Sequence, residues 1–275
     1  MTLAEDEAAP TNIHRLSPRL PATDETPMPP LSFDPFRVYR WARSEFTALS
    51  LVFLLCGALF TFFSIADEVM EGETHALDEA LLLALRTPGD PADPIGPSWL
   101  ESAVKDITAL GSFAVLTIVT LAVIGYLLFT GKRRTALLVA VSIVGGAIMS
   151  TLLKNVFARP RPDLVAHLTD IHTLSFPSGH AMLSAVTYLT LGALLARIET
   201  DPRTKTYLLS VAVVVTLLVG LSRIYLGVHY PTDVLAGWCA GAAWAILCWL
   251  VALALQRRAR RGRPAQEDED LGAQA

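Results

Sequence analysis

Six long apolar runs, at 46–66, 107–130, 135–153, 181–196, 206–222 and 234–256, constrain this chain more than any other feature. A helix needs roughly 20 residues, with a range of about 17 to 25, to cross the hydrocarbon of a bilayer. The runs meet that length, the fourth once its helix starts near Pro177. Inside a bilayer every backbone polar group must be satisfied without water, so such runs become helices. The chain is therefore expected to be an all-α integral membrane bundle of six transmembrane helices. Composition agrees: 52% of the 275 residues are hydrophobic and 17% charged. Soluble domains carry about a quarter charged residues.

Outside the runs the chain divides simply. Residues 1–45 are polar, contain seven prolines and show no apolar period, which predicts a disordered tail. Residues 46–256 form the membrane domain, and 257–275 a basic, then acidic, second tail. The first run is too long for a signal-peptide core and follows a long polar segment, which argues against cleavage. Residues 73–87 are apolar over too short a stretch to span. Leu77, Leu81, Ala84 and Leu85 share one helical face there, predicting a short helix at the membrane interface or packed on the bundle. Gly237 and Gly241 form a GxxxG that lets helices pack closely, and Trp238, Trp244 and Trp249 are expected in packing or lipid contacts. Cys56, Cys239 and Cys248 all lie in apolar runs and read as small hydrophobes, with no disulfide and no thiol metal site.

The basic residues set the orientation. With the N-terminus in the cytoplasm, sixteen of the 22 Lys and Arg fall on the inner side: in the N-tail, in Lys132-Arg133-Arg134, in the 197–205 turn and in the C-tail. The positive-inside rule then places both termini in the cytoplasm of the cell membrane. The 67–106 loop, with ten acidic residues, becomes an outer segment. Of the six outer cations, four crowd two short segments: Lys154, Arg159 and Arg161 in "KNVFARPRP", and Arg223 in "SRIYLGVHYPTD".

On this topology "PSGH", residues 177–180, begins a span at the same outer level as those two segments. Three stretches distant in sequence thus bring Lys154, Arg159, Arg161, Ser178, His180, Arg223, His229 and Asp233 together. Cations gathered at helix ends need a compensating anion, and Asp163 and Asp233 are the carboxylates these stretches supply. The surplus positive charge points to an anionic ligand, most simply phosphate. His229 and Asp233 are four apart, so the carboxylate can hold one ring nitrogen and leave the other to attack. Ser178 and Gly179 at a helix start offer a hydroxyl and backbone N–H groups to an anion. Two imidazoles flanking one phosphoryl group suit an in-line displacement, one attacking and one protonating the leaving oxygen.

The three motifs, Lys154-x6-Arg161-Pro162, Pro177-Ser178-Gly179-His180 and Ser222-Arg223-x5-His229-x3-Asp233, resemble the signature of the type 2 phosphatidic acid phosphatase superfamily over roughly residues 46–255. The resemblance implies a metal-independent phosphatase without cofactor. His229 would be the nucleophile, Asp233 its orienting partner and His180 the acid for the leaving group. Lys154, Arg161 and Arg223 would clamp the phosphate, with Ser178 and Gly179 donating hydrogen bonds. Arg159, two residues before the motif arginine, is carried over as a neighbour without an assigned role. The family's bacterial members suggest a membrane lipid phosphate or diphosphate as substrate, of the undecaprenyl-diphosphate or phosphatidylglycerol-phosphate type, with no nucleic-acid partner. A phosphotransferase of the same fold shares the phosphohistidine step and stays open, as do head group and oligomeric state. A non-catalytic lipid binder or transporter is the alternative of another class, and the presence of both His180 and His229 speaks against it. His167 and His172 are expected as exposed loop residues, and His14 and His75 carry no signal.

Overall fold

The structure is a computed structural model and describes residues 35–169 and 173–261. Residues 42–275 are grouped as one compact unit, which carries the site, and the start of the first helix, up to Trp41, is grouped apart from it. Most of the expected N-terminal tail, the end of the C-terminal tail, His14 and His172 lie outside the described residues.

The described helices are α1 (Pro35–Glu71), α2 (His75–Leu83), α3 (Ser98–Ala109), α4 (Phe113–Phe129), α5 (Arg133–Phe157), α6 (Gly179–Ile198), α7 (Pro202–Tyr225) and α8 (Pro231–Arg261). Helix α1 begins at Pro35, upstream of the expected boundary at 45. Proline suits a first helical position, where no N–H partner is needed, and the sequence after it continues without a helix breaker. At the other end α8 runs through Arg257 and Arg258 to Arg261, so part of the basic tail is helical.

Five helices are long and apolar enough to cross a membrane, and six if α3 and α4 count as one span. These two meet at a bend of 45° where the run 107–130 reads as continuous. The cause is local. Ser112 accepts the Val115 N–H at 3.3 Å and starts a new helix. The Leu110 carbonyl, released from the helix ladder, accepts the Tyr188 hydroxyl at 2.8 Å.

Helix α6 is the centre of the bundle and packs against α4, α5, α7 and α8. Two glycines let α8 approach it: a Cβ on Gly237 would lie 2.7 Å from the Ser178 carbonyl oxygen, and one on Gly241 would lie 2.5 Å from that of Met182. Trp238 and Trp244 pack on Gly220 and Gly145 and donate their indole N–H groups to Thr216 O and Ser142 O. Around the outside the bundle presents Phe53, Phe60, Phe63, Phe129 and Val156. Such a surface is stable against lipid tails and not against water.

The segment between the first two spans holds the expected short helix. Helix α2 buries Asp78 and Leu82, while Leu77 and Leu81 of the expected apolar face are exposed. Ala84 and Leu85 fall beyond the helix, and a two-stranded antiparallel hairpin follows, β1 (Arg86–Thr87) and β2 (Asp90–Pro94).

Candidate active site

The C-terminal end of α5, the start of α6, the end of α7 and the start of α8 meet at one level of the bundle. Helix α5 stops at Phe157 because Ala158 turns left-handed, φ 47°, and its N–H closes on the Lys154 carbonyl at 2.9 Å. The chain then leads Arg159 and Arg161 back toward the helix ends. Before α6, Ser175 N–H donates to Arg159 O at 2.9 Å, and Phe176 fills a buried cluster with Phe62, Phe157 and Ala236. Ser178 N–H donates to the Asp233 carbonyl at 2.9 Å, tying the start of α6 to the start of α8.

His229 and Asp233 are almost wholly buried. Asp233 Oδ2 lies 3.4 Å from His229 Nδ1 and also accepts the Tyr230 N–H at 3.0 Å and the Ser175 hydroxyl. On the far side of the ring, Arg161 Nη1 lies 3.1 Å from Nε2. Arginine has no acceptor, so this contact makes Nε2 the unprotonated nitrogen and places the ring proton on Nδ1, toward Asp233. Burial pushes the His229 pKa down to about 3, against the raising effect of Asp233, so the ring is neutral at pH 7.

Three cations, Lys154, Arg161 and Arg223, gather at this end of the bundle, and among the described residues none of them forms an ion pair. Lys154 donates to the Leu174 carbonyl; Arg161 donates to the carbonyls of Thr173 and Val228; Arg223 Nη1 donates to the Thr108 hydroxyl at 2.9 Å. Burial lowers the Arg161 pKa from its ordinary value. His180 lies within electrostatic reach of Arg223, His229, Arg161 and Lys154. Ser178 Oγ and Arg223 Nε are buried without a hydrogen-bond partner, although Ser178 occupies an N-cap position where its hydroxyl would ordinarily bond the helix. Gly179 lies against Lys154: a Cβ there would be in ordinary van der Waals contact, 3.4 Å from Lys154 Cε. The structure thus brings together all eight residues singled out in the sequence. Unpaired cations with orphaned buried donors leave one anion's worth of interaction unmade.

Comparison with known proteins gives the family. The family model described as PAP2 superfamily matches residues 135–257. The phosphatidylglycerophosphatase B of Bacillus subtilis is 32% identical over 67% of this chain and 88% of its own length. The chain belongs to the PAP2 superfamily. A crystal structure of a transmembrane PAP2-type phosphatidylglycerolphosphate phosphatase from the same species superposes with a TM-score of 0.65 at 28% identity, covering 76% of this chain and 98% of that one. An undecaprenyl-diphosphatase of Sulfolobus acidocaldarius is 29% identical over 47% of this chain and 58% of its own length.

This PAP2 protein is accordingly a membrane phosphatase, and its site holds residues that the motifs do not contain. Arg159 does not join the three unpaired cations. Its Nη1 donates to Asp233 Oδ1 at 2.7 Å and its Nη2 to Asp78 Oδ2 at 2.9 Å, and its guanidinium stacks on the Tyr230 ring at 4.3 Å. Burial opposes its charge, but Asp233 and Asp78 outweigh burial and raise the Arg159 pKa. Ser175, Thr232, Thr108 and Asp78 also belong to the site. Ser175 and Thr232 sit beside motif residues in sequence, whereas nothing in the 67–106 segment marks Asp78 among its ten acidic residues. His167 is exposed, as expected, and bonded to Pro162 O at 2.6 Å, and exposed His75 pairs with Glu79 at 3.1 Å.

Proposed function

We propose that this PAP2 protein hydrolyses a membrane lipid phosphate or diphosphate at the outer face of the cell membrane through a phosphohistidine. The observation that carries the reading is the His229 ring. Nδ1 is turned to Asp233, and Nε2 faces Arg161 in a cluster of cations that hold no counter-ion among the described residues. In the first step His229 Nε2 attacks phosphorus, the bond from phosphorus to the lipid oxygen breaks, and His180 protonates that oxygen. Lys154, Arg161 and Arg223 neutralise the equatorial oxygens, and Ser178 Oγ with the Gly179 N–H complete the cradle. In the second step His180 takes a proton from water, the water oxygen bonds phosphorus, and the nitrogen–phosphorus bond breaks to release phosphate and restore His229. The relatives act, by their names, on phosphatidylglycerophosphate and undecaprenyl diphosphate. We take these two lipid classes as the first substrates to test.

The test is phosphate release by the purified protein from phosphatidate, phosphatidylglycerophosphate and undecaprenyl diphosphate, with EDTA present and with a lipid or sugar acceptor in a parallel reaction. The expected result is EDTA-resistant release of inorganic phosphate that His229→Ala abolishes and Asp233→Asn lowers less severely. Near-normal release by His229→Ala would overturn the nucleophile assignment. Phosphate recovered on the acceptor rather than in solution would turn the reading to a phosphotransferase.

A further inference from the structure

Asp78 stands on α2, outside the three motifs and outside the stretch matched by the family model. It is nevertheless fully buried. A buried carboxylate is costly unless it is paired and hydrogen-bonded. Both oxygens are engaged: Oδ1 accepts the Thr232 N–H at 3.0 Å, and Oδ2 accepts the Thr232 hydroxyl at 2.6 Å and Arg159 Nη2 at 2.9 Å. The other amino group of the same guanidinium donates to Asp233 Oδ1 at 2.7 Å and to the Thr232 hydroxyl at 2.9 Å. One arginine fork therefore spans two carboxylates. Thr232, held by the first, directly precedes the second at the start of α8.

We propose that Asp78 is a positioning residue of the phosphatase reaction, acting on His229 through the Arg159 fork, Thr232 and Asp233. The proposal rests on the reading of His229 as nucleophile. Its first part is geometric. Asp233 must turn Oδ2 to the imidazole, and it does so while Oδ1 is held by Arg159. Arg159 in turn is aimed by Asp78 and clamped by Tyr230 beneath it. Without Asp78 the fork loses one end and Thr232 loses both of its bonds to that carboxylate.

The second part is charge. His229 becomes a cationic ring when Nε2 carries the phosphoryl group and Nδ1 keeps its proton. Arg159 paired with Asp233 alone would cancel the carboxylate that has to stabilise that ring. Asp78 restores the balance: with the ring neutral, Asp78, Arg159, Asp233 and His229 together carry one net negative charge, which the cationic ring then compensates. A tie that merely fastened α2 to the bundle would have no need to end on the carboxylate that faces His229.

Asp78→Asn in the purified full-length protein removes the charge while keeping an acceptor oxygen for Thr232. The expected result is a fall in kcat of about 10- to 100-fold, the usual scale for residues that orient a site from behind it, with KM changed by less than about threefold. KM holds because Asp78 contacts none of Lys154, Arg161, Arg223 or Ser178. Added to Asp233→Asn, the Asp78→Asn change should cost little further, because its effect passes through the missing carboxylate. A kcat within about twofold of wild type, or full multiplication of the two losses, would overturn the proposal. Should Asp78→Asn fail to fold, Arg159→Lys decides, since a point charge cannot bridge both carboxylates. It should lose kcat on the same scale, and an unchanged kcat would overturn the role. His229→Ala in the same panel separates the two readings. An active His229→Ala sinks the proposed function, whereas an inactive one beside a normal Asp78→Asn sinks the positioning role alone.

Discussion

Arg161 Nη1 and His229 Nε2 lie 3.1 Å apart, so a charged donor rests on the lone pair that attacks in the proposed reaction. In that reaction an entering phosphate would take the N–H onto an oxygen and release the nitrogen. Binding and activation are then one event. Arg161→Lys keeps the charge and loses the fork that spans Thr173, Val228 and the ring, so kcat/KM should fall by about 100-fold or more. Orthovanadate forms a trigonal-bipyramidal adduct resembling the transition state, so its inhibition should weaken in step. Vanadate inhibition unchanged in a variant with depressed kcat/KM would show that Arg161 does not face the transferred group.

Gly237 controls the seam between α6 and α8. Its missing Cβ would stand 2.7 Å from Ser178 O and 3.0 Å from Ala181 Cβ, against backbone that cannot yield locally. Gly237→Ala should cost about 1–3 kcal/mol of stability by overpacking, and it should lower activity because Ser178 and His180 ride on the displaced helix start. Gly57→Ala in α1, where nothing lies within 4 Å, is the matched control and should be neutral or stabilising. Thermal denaturation in detergent with parallel phosphate release reads both effects, and equal behaviour of the two variants would contradict the packing argument.

Burial lowers the His229 pKa to about 3 from an ordinary 6.5. Between those values the unfolded chain binds a proton that the folded protein does not. This group's contribution is therefore fully present above about pH 6.5 and is lost as the pH falls toward about 3. Wild-type Tm should consequently drop more steeply between about pH 6.5 and 4 than the Tm of His229→Gln, which has nothing to protonate there. Parallel curves for the two proteins would show that the ring is not held neutral.

The orientation is testable without reference to catalysis. A cysteine in place of exposed Leu164 should react with a membrane-impermeant thiol reagent in intact cells, and one in place of Lys132 should not. Lys132, Arg133 and Arg134 resist translocation, while Arg159 is paired with Asp78 and Asp233 and the proposed phosphate would compensate Lys154 and Arg161. The reverse pattern would open the pocket to the cytoplasm and make an inner-leaflet lipid phosphate the substrate.

The amino-acid sequence by itself determined the apolar spans, the three motif segments and the residues within them that the structure brings together. Each of these follows from local information: run length against bilayer thickness, and motif residues whose spacing is their geometry, as with His229 and Asp233 one helical turn apart. Only the tertiary structure decided the bend at Gly111 and Ser112, because hydropathy is blind to a capped break inside an apolar run. It alone decided that α2 turns Asp78 inward, on the side away from exposed Leu77 and Leu81. Arg159 shows the reason most clearly. Its place beside Arg161 gives it no role, yet it pairs with Asp78, 81 residues away, and with Asp233, 74 residues away. A buried cation takes whichever carboxylates the packed helices bring to it, and that choice is made across the fold rather than along the chain.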